Sequence, residues 1–442
     1  MKENTFSFIK KSFEGDSKMV LSKEKLAKML SKISVINEYF PDSPWLNETK
    51  VWKKFNYSFQ GKDVSDLQTT FHKVILTIVD EYDCIAIAFS GGLDSLAILL
   101  EVYMQCKNKG KKCIAITAEM FDDKKESCGL HSQKILQTFN IDCKHIIFTP
   151  KTTSSLYWSE TGIRAEAMPN AVQEMANLAK IHNAEVILSG VGADSILACP
   201  KYLTHIFLSK RRYKHMFRYL SDIAISGFWG IRREFSSLFA NRLSPYSNAK
   251  AYMALSDADL CDVEVNQHLN EPYRTNINTW SKKWLISNIE LLMKHHYSWA
   301  KMEVISMLEM YDPLSPSGSI QHINPYENAE IVKVSTEIPL EFRYNPLLQS
   351  PYLRHKALVV SLIDEKYKKK LPQYKKTFKD TIMKHSADTY SYPKTLLATG
   401  MLCNNFIEKF NIDDVYGNNM LARITMLDMW LEEALKRGYD LK

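Results

Sequence analysis

The feature that most constrains this chain is the stretch Ala86-Ile87-Ala88-Phe89-Ser90-Gly91-Gly92-Leu93-Asp94-Ser95-Leu96-Ala97-Ile98-Leu99-Leu100. The short apolar run from Cys84 to Phe89 predicts a strand covered on both faces, as in a parallel sheet. Small residues follow at Ser90, Gly91 and Gly92, and an apolar helix starts behind them. With no bulk at those positions, a polyanion can approach the backbone closely. Backbone N–H groups at a helix start, with the helix dipole behind them, favour phosphate. Ser90 and Ser95 add hydroxyl donors. Asp94 brings a carboxylate to the same place, where it is useful only if it holds a cation such as Mg²⁺.

The flanking elements predict the kind of sheet. Ser65-Asp66-Leu67-Gln68 has the form of a capping box. Leu67, Phe71, Val74, Ile75 and Ile78 follow at helical spacing, so a helix is expected to run to Tyr82. The helix after the loop should reach Lys107 and stop at Asn108-Lys109-Gly110. Strands are expected at Cys113–Ala118, His145–Phe148 and Glu185–Leu188, with helices at Glu126–Phe139 and Pro169–His182 between them. This alternation predicts an α/β fold with a doubly wound parallel sheet. Its ligand belongs beyond the carboxyl ends of the strands, where the Ser-Gly-Gly loop lies. After Pro200 long amphipathic segments dominate and no strand is evident, so the C-terminal half is expected to be mainly helical. The organisation expected is an N-terminal segment over 1–64, an α/β core over 65–200 and a helical part over 201–442. Within the first segment, Lys23 to Ile36 reads as a helix, Pro41 to Pro44 as a turn and Tyr57 to Val64 as a loop. Leu421 to Leu441 reads as the last helix.

A second stretch repeats the logic of the first. In Ile187-Leu188-Ser189-Gly190-Val191-Gly192-Ala193-Asp194-Ser195 an apolar strand ends, glycines bring the backbone close and an aspartate follows. Two carboxylates at the ends of two strands of one sheet can clamp a metal on a triphosphate. Asp94 and Asp194 are therefore the candidate metal ligands. Ser90, Gly91, Gly92, Asp94, Ser95, Ser189, Gly190 and Gly192 are the candidate nucleotide-binding residues.

The Ser-Gly-Gly-Leu-Asp-Ser loop after a strand resembles the pyrophosphate-binding (PP) loop of the ATP pyrophosphatases; the Walker spacing is absent. Ser189-Gly190-x-Gly192-Ala193-Asp194 narrows the resemblance to the asparagine synthetases and their relatives, the β-lactam synthetases and lasso-peptide cyclases. The resemblance implies ATP and Mg²⁺, the ion being held by Asp94 and Asp194. It implies a ligase that adenylates a carboxylate, releases pyrophosphate and lets an amine attack. Such proteins continue with Glu-Leu-Phe-Gly-Gly-Tyr, where this chain has Ser195-Ile196-Leu197-Ala198-Cys199-Pro200. Asn324-Pro325-Tyr326-Glu327-Asn328 is similar to their Pro-Phe-Leu-Asp segment, with Asn328 in place of the Asp. Their catalytic Glu, four residues before the Pro, is here Gln321, which is no general base at neutral pH. His322 beside it becomes the candidate. Tyr352 to Leu358 resembles their Lys-x-x-Leu-Arg helix, and Leu371 to Asp380 a shortened form of a loop whose lysine steadies the leaving pyrophosphate. Lys375 fits that lysine best, and Lys376 comes second.

Asparagine synthetases open with a glutaminase built on an N-terminal Cys, whereas position 2 here is Lys and the first cysteine is Cys84. The 1–64 segment is accordingly not expected to be a glutaminase. The chain is expected to use either an amine already on its carboxylate-bearing substrate, a peptide or small natural product, or ammonia from a partner; a partner protein from a biosynthetic operon is left open. A second reading is thiolation or amidation of a nucleobase or tRNA, with Cys199 as sulfur carrier. A third is a nucleotide-binding subunit without turnover. The net charge of +7 leaves a nucleic-acid partner open. No apolar run reaches the ~20 residues of a membrane span, so no membrane partner is expected. Met1-Lys2-Glu3-Asn4 lacks a signal-peptide core, which predicts a cytoplasmic location. The eight cysteines show no Cys-x-x-Cys spacing and read as reduced core residues. The basic cluster Lys210-Arg211-Arg212-Tyr213-Lys214 fits either a solvated helix face or a binding surface.

Overall fold

Strand β1, Cys84–Ala88, is the middle of a five-stranded, all-parallel sheet. A computed structural model describes residues 9–13, 20–31, 44–46, 48–52, 58–150, 169–225, 227–240, 242–256, 266–294, 298–310 and 320–442. The other strands are β2 Lys112–Ala118, β3 Lys144–Phe148, β4 Val186–Leu188 and β5 Gln321–Ile323. Their order across the sheet is β3-β2-β1-β4-β5. The direction of winding therefore reverses between β1 and β4. In open α/β sheets the ligand crevice opens at that reversal.

The connections explain why both sheet faces are covered. Helix α1, Lys23–Met29, belongs to a separate core described below. Helices α2 Val64–Glu81, α3 Leu93–Lys109 and α4 Cys128–Thr138 pack Phe71, Ile75, Leu96 and Leu136 against one face of the sheet. Helix α5, Pro169–Ile181, covers the other face with Ala171, Ala176 and Ala179 against Ala86, Ile114 and Ile187. Alanines on α5 let the helix lie close to the β-branched strand residues. The doubly wound expectation thus holds.

Two local expectations need correction. The capping box of α2 lies two residues earlier than Ser65. Asp63 is the extended N-cap and accepts from Ser65 N and Asp66 N at 2.7 and 3.2 Å, and Asp66 accepts from Asp63 N at 3.0 Å. An aspartate beats the nearby serine because its charged acceptor also meets the positive end of the helix dipole. The second correction is β5, a strand after residue 200 where none was evident. It is only three residues long, starts with Gln321-His322, and pairs with β4 alone.

Beyond the sheet the chain is mostly helical. The short α6, Ala193–Ile196, leads to α7 Tyr213–Ile225, α8 Phe228–Ala240 and α9 Pro245–Ser256. After β5 come α10 Ala329–Glu337, then α11 Pro351–His355 and α12 Ala357–Ser361. The last helix, α13, is Val415–Lys436. It ends before Leu441, because Asp440–Leu441 forms a short parallel pair with Val20–Leu21. Leu26, Met29 and Trp45 pack on Ile424, Leu427 and Trp430 of α13 in a core of their own. Helix α1 stops at Met29 rather than continuing to Ile36, and residues 32–36 lie outside the described residues, as do 41–43 of the expected turn and Tyr57.

One buried ion pair joins the helical part to the segment after β5. Arg354 of α11 donates to both carboxylate oxygens of Asp222 on α7, at 2.7 and 2.6 Å, and Tyr344 donates to the same group at 2.8 Å. Burial is the largest influence on Asp222 and would raise its carboxyl, but the Arg354 and Tyr344 hydrogen bonds outweigh it and hold the group below the ordinary Asp range. Asp222→Ala should cost about 3–5 kcal/mol in urea unfolding, because it leaves Arg354 buried without its counter-charge. A lowered carboxyl contributes stability above the ordinary Asp range and loses it as pH falls through the lowered value. The variant should therefore also flatten the acid limb of the stability profile; an unchanged midpoint and profile would contradict this.

Candidate functional site

The loops after β1 and β4 meet at the winding reversal. Gly91 takes a positive φ of +76°, and Gly92 is the N-cap of α3 with no side-chain cap. Ser90 and Ser95 hold this loop together: Gly92 N donates to Ser90 Oγ at 3.2 Å, and Ser95 Oγ donates to Gly92 O at 3.1 Å. The second loop closes in the same manner, with Val191 N donating to Ser189 Oγ at 3.3 Å and Ser189 Oγ donating to Asn324 Oδ1 at 2.5 Å. Gly190 is where the two loops touch. A Cβ there would sit 3.0 Å from Ser95 N and 3.2 Å from the Asp94 Cβ. Gly192, at φ +88°, lies under the buried Glu327, and a Cβ would come within 2.8 Å of its Cγ.

The two aspartates converge on one cation. Lys356, between α11 and α12, donates to both carboxylate oxygens of Asp94 at 2.7 Å and also pairs with Asp194. Its side chain is 7% exposed. Burial is the largest influence on all three groups. It raises Asp94 above the ordinary carboxylate range in spite of Lys356. In Asp194 the same effect is overcome by Lys356 and Lys375, and its carboxyl is lowered. In Lys356 burial favours the neutral amine, but the two carboxylates reverse that and raise the ammonium above the usual lysine range. The centre thus keeps a charged lysine between the ends of β1 and β4.

The loop with Lys375 and Lys376 lies over this centre. Lys375 reaches Asp194 at 3.5 Å and is open to solvent. Lys376 turns the other way, is buried, and bridges Asp122 and Glu126 at 2.8 and 2.9 Å. Asp123 N also donates to Thr377 O at 2.9 Å. Lys376 is the anchor that holds the loop, and Lys375 is the exposed cation of the pair that faces Asp194.

The residues expected to carry proton chemistry sit elsewhere. Gln321 opens β5 and accepts from Tyr82 at 2.9 Å, at the amino edge of the sheet. His322 stands beside Ile187 in the register, on the face packed by α5, within the sheet rather than in the loops beyond it. Cys199 lies near Glu234, and burial, with that carboxylate, pushes its thiol well up, which opposes a sulfur-carrying role. Cys106, Cys113 and Cys143 gather at the amino ends of β2 and β3, around a pocket of about 730 Å³ on the opposite edge. Cysteines with no telling spacing in the sequence are therefore neighbours in space, and the seven described ones are all free thiols.

Two residues of the site had no role in the sequence reading. Lys356 lay inside the Tyr352–Leu358 stretch that resembles the Lys-x-x-Leu-Arg helix, just before the apolar run Ala357-Leu358-Val359-Val360, but was given no part in the site. His131 on α4 approaches the first loop: a Cβ on Gly91 would lie 2.7 Å from its ring. Burial, then Lys376, lowers this imidazole below its usual range and keeps it neutral. No sequence pattern marks it.

Two glycine loops and two aspartates at the reversal of a doubly wound sheet define a phosphate-handling α/β protein. Residues 84–402 match the asparagine synthase family, and the chain belongs to it. No curated protein matches the chain. Membership makes it an ATP-dependent, amide-forming ligase in general terms, with the PP-loop type of fold. Among the described residues no helix is long and apolar enough to cross a membrane.

Gly91→Val forces a β-branched residue into a left-handed conformation and against His131. Calorimetry should show ATP affinity reduced by about tenfold or more, given a backbone penalty of at least about 1 kcal/mol added to the clash. Unchanged affinity would remove the first loop from the nucleotide site.

Proposed function

We propose that this chain adenylates a substrate carboxylate with ATP, releases pyrophosphate, and passes the acyl group to an amine on a peptide or small natural product. One observation carries the reading: Asp94 and Asp194, from loops 100 positions apart, share the ammonium of Lys356 at the sheet's winding reversal. A half-buried and an exposed carboxylate sharing a buried, fixed cation suit a ligand that brings both negative phosphates and a metal ion. Among the described residues no three His, Cys, Asp or Glu side chains gather as a metal cage. Two hard carboxylates are nevertheless what Mg²⁺ uses when substrate phosphates supply its other ligands. Asp94 and Asp194 would hold that ion, and it would neutralise charge on the triphosphate.

The chain's own groups then divide the work. The N–H groups of the first turn of α3 and the hydroxyl of Ser90 bind phosphate oxygens, while Ser95, buried and donating to Gly92 O, holds the loop in shape. Lys356, held charged by the two carboxylates, places a positive charge beside the site. The substrate carboxylate attacks the α-phosphorus, the α–β bridging bond breaks, and pyrophosphate leaves with the added charge. Lys375, exposed and on the Asp194 side of the site, meets that charge as it develops and so stabilises the transition state more than the ground state. An amine then attacks the acyl carbonyl and AMP leaves. His322, inside the sheet, is given no step. The alternative of nucleobase or tRNA thiolation loses its sulfur carrier with Cys199.

Asp94→Asn and Asp194→Asn should each abolish pyrophosphate release while leaving the fold intact by circular dichroism. Lys375→Ala should keep near-normal ATP affinity and lose about 10²–10³-fold in turnover. Lys376→Ala removes the anchor on Asp122 and Glu126, frees the loop and should therefore lower turnover as well. Product mass completes the test: loss of one water from a substrate means internal amide closure. Full activity in either aspartate variant, or phosphate rather than pyrophosphate as product, would overturn the reading.

A further inference from the structure

The surface formed by α7 and α8 has a composition that the ligase reading does not use. Between residues 201 and 256 there are ten lysines and arginines and only two acids, Asp222 and Glu234. Both acids are buried and satisfied inside. Asp222 holds Arg354, and Glu234 accepts from Tyr202 N, Thr204 and Tyr219 at 2.5, 2.7 and 2.8 Å. The outward face of this stretch is therefore purely basic. It is also unusually apolar. At the corner between α7 and α8, Ile225, Phe228 and Trp229 are 72, 78 and 63% exposed, and Phe217, Phe235 and Phe239 are exposed along the two helices. The corner is built into the fold. Gly227, at φ +114°, makes the turn, and Gly230 lets α8 close on Ile223 of α7, where a Cβ would come within 2.6 Å.

Rings and cations alternate rather than segregate. Arg232 lies over Trp229 at 4.8 Å, Arg242 over Phe239 at 6.0 Å, and Lys250 of α9 over Tyr246 at 4.5 Å. A protein interface matches its charges across the contact, so this face, which turns no acid outward, would need an acidic partner. A lipid headgroup zone takes aromatic rings at its own level and draws basic side chains to its phosphates. A second copy of the chain is disfavoured, because a two-fold contact would set this basic face against itself.

We propose that the α7–α8 corner and the adjoining outer faces seat the protein on an anionic lipid surface, with Ile225, Phe228 and Trp229 among the headgroups and the arginines and lysines on lipid phosphates. Spanning a bilayer is a different demand, and the absence of a spanning run does not bear on lying on one. The contact would be reversible and salt-sensitive, since the attraction of each cation to such a surface is modest and is screened within a Debye length. The inner face of α7 carries Asp222, so one buried ion pair links the lipid-facing helix to Arg354, two residues before Lys356.

The test is co-sedimentation of the full chain with phosphatidylcholine vesicles, with and without phosphatidylglycerol. Binding is expected only with the anionic lipid, and should fall about tenfold or more between about 0.1 and about 0.5 M salt. The double variant Phe228→Ser/Trp229→Ser should bind about tenfold more weakly while its ATP affinity and circular dichroism stay unchanged. Arg211→Gln/Lys214→Gln/Arg218→Gln should weaken binding and flatten the salt dependence. No sedimentation with anionic vesicles, equal binding to neutral ones, or wild-type binding by the corner variant would each overturn the proposal. So would a chain that ignores both vesicles and is shifted by an acidic, aromatic-containing peptide, which would make the face a polypeptide site. Because ATP binding is measured in parallel, failure here leaves the ligase reading untouched.

Discussion

The ammonium of Lys356 between Asp94 and Asp194 is the contact on which the rest depends. Two carboxylates brought this close repel each other, and the buried Lys356 ammonium between the half-buried Asp94 and the exposed Asp194 offsets that repulsion. The sheet supplies the point: β1 and β4 are neighbours, and the reversal of winding between them leaves their ends uncovered. Gly190 then allows the second loop to touch the peptide between Asp94 and Ser95. The cation comes from a third segment, after β5, which is held by Arg354 on Asp222 and by Arg343 on the carbonyls of Ile196 and Ala198 at 2.7 and 3.2 Å. Three parts of the chain thus meet at one charge, the two loops closed by their own hydrogen bonds and the third segment braced by buried ones.

The surrounding structure can be read as support for that meeting point. Tyr326 is fully buried and donates to Asp94 O at 2.8 Å, and its ring stacks on Phe71 of α2. The family match begins at Cys84 and ends at Leu402. Outside it, α1 and α13 pack on each other with Trp45 against Trp430 and Tyr439. The two ends of the chain therefore build one shared core rather than two separate additions.

How much of this was legible follows from the reach of each signal. Strands β1 to β4 are apolar runs flanked by turn residues, so their pattern is local and readable. The two glycine–aspartate loops are readable for the same reason: a backbone that must approach phosphate needs small residues wherever it occurs. Strand β5 was not, because Gln321-His322-Ile323 is three residues long and owes its state to pairing with β4. Lys356 was missed because its partners are 262 and 162 positions away, and nothing local distinguishes it from a surface lysine. Lys375 and Lys376 are adjacent in sequence and face opposite ways, so only the fold separates the exposed cation from the anchor. The capping box slipped by two residues because Ser65 and Asp63 both satisfy the pattern and the helix takes the stronger acceptor.

The central claim is that the two aspartate loops and Lys356 form one polyphosphate site. The most direct measurement is a crystal structure of the chain with Mg²⁺ and an ATP analogue whose α–β bridge is carbon. The account predicts phosphate oxygens in contact with the backbone of residues 90–95 and 189–194, within reach of Lys356 and Lys375. A nucleotide bound elsewhere, with Lys356 still paired to both aspartates and no phosphate at either loop, would contradict it.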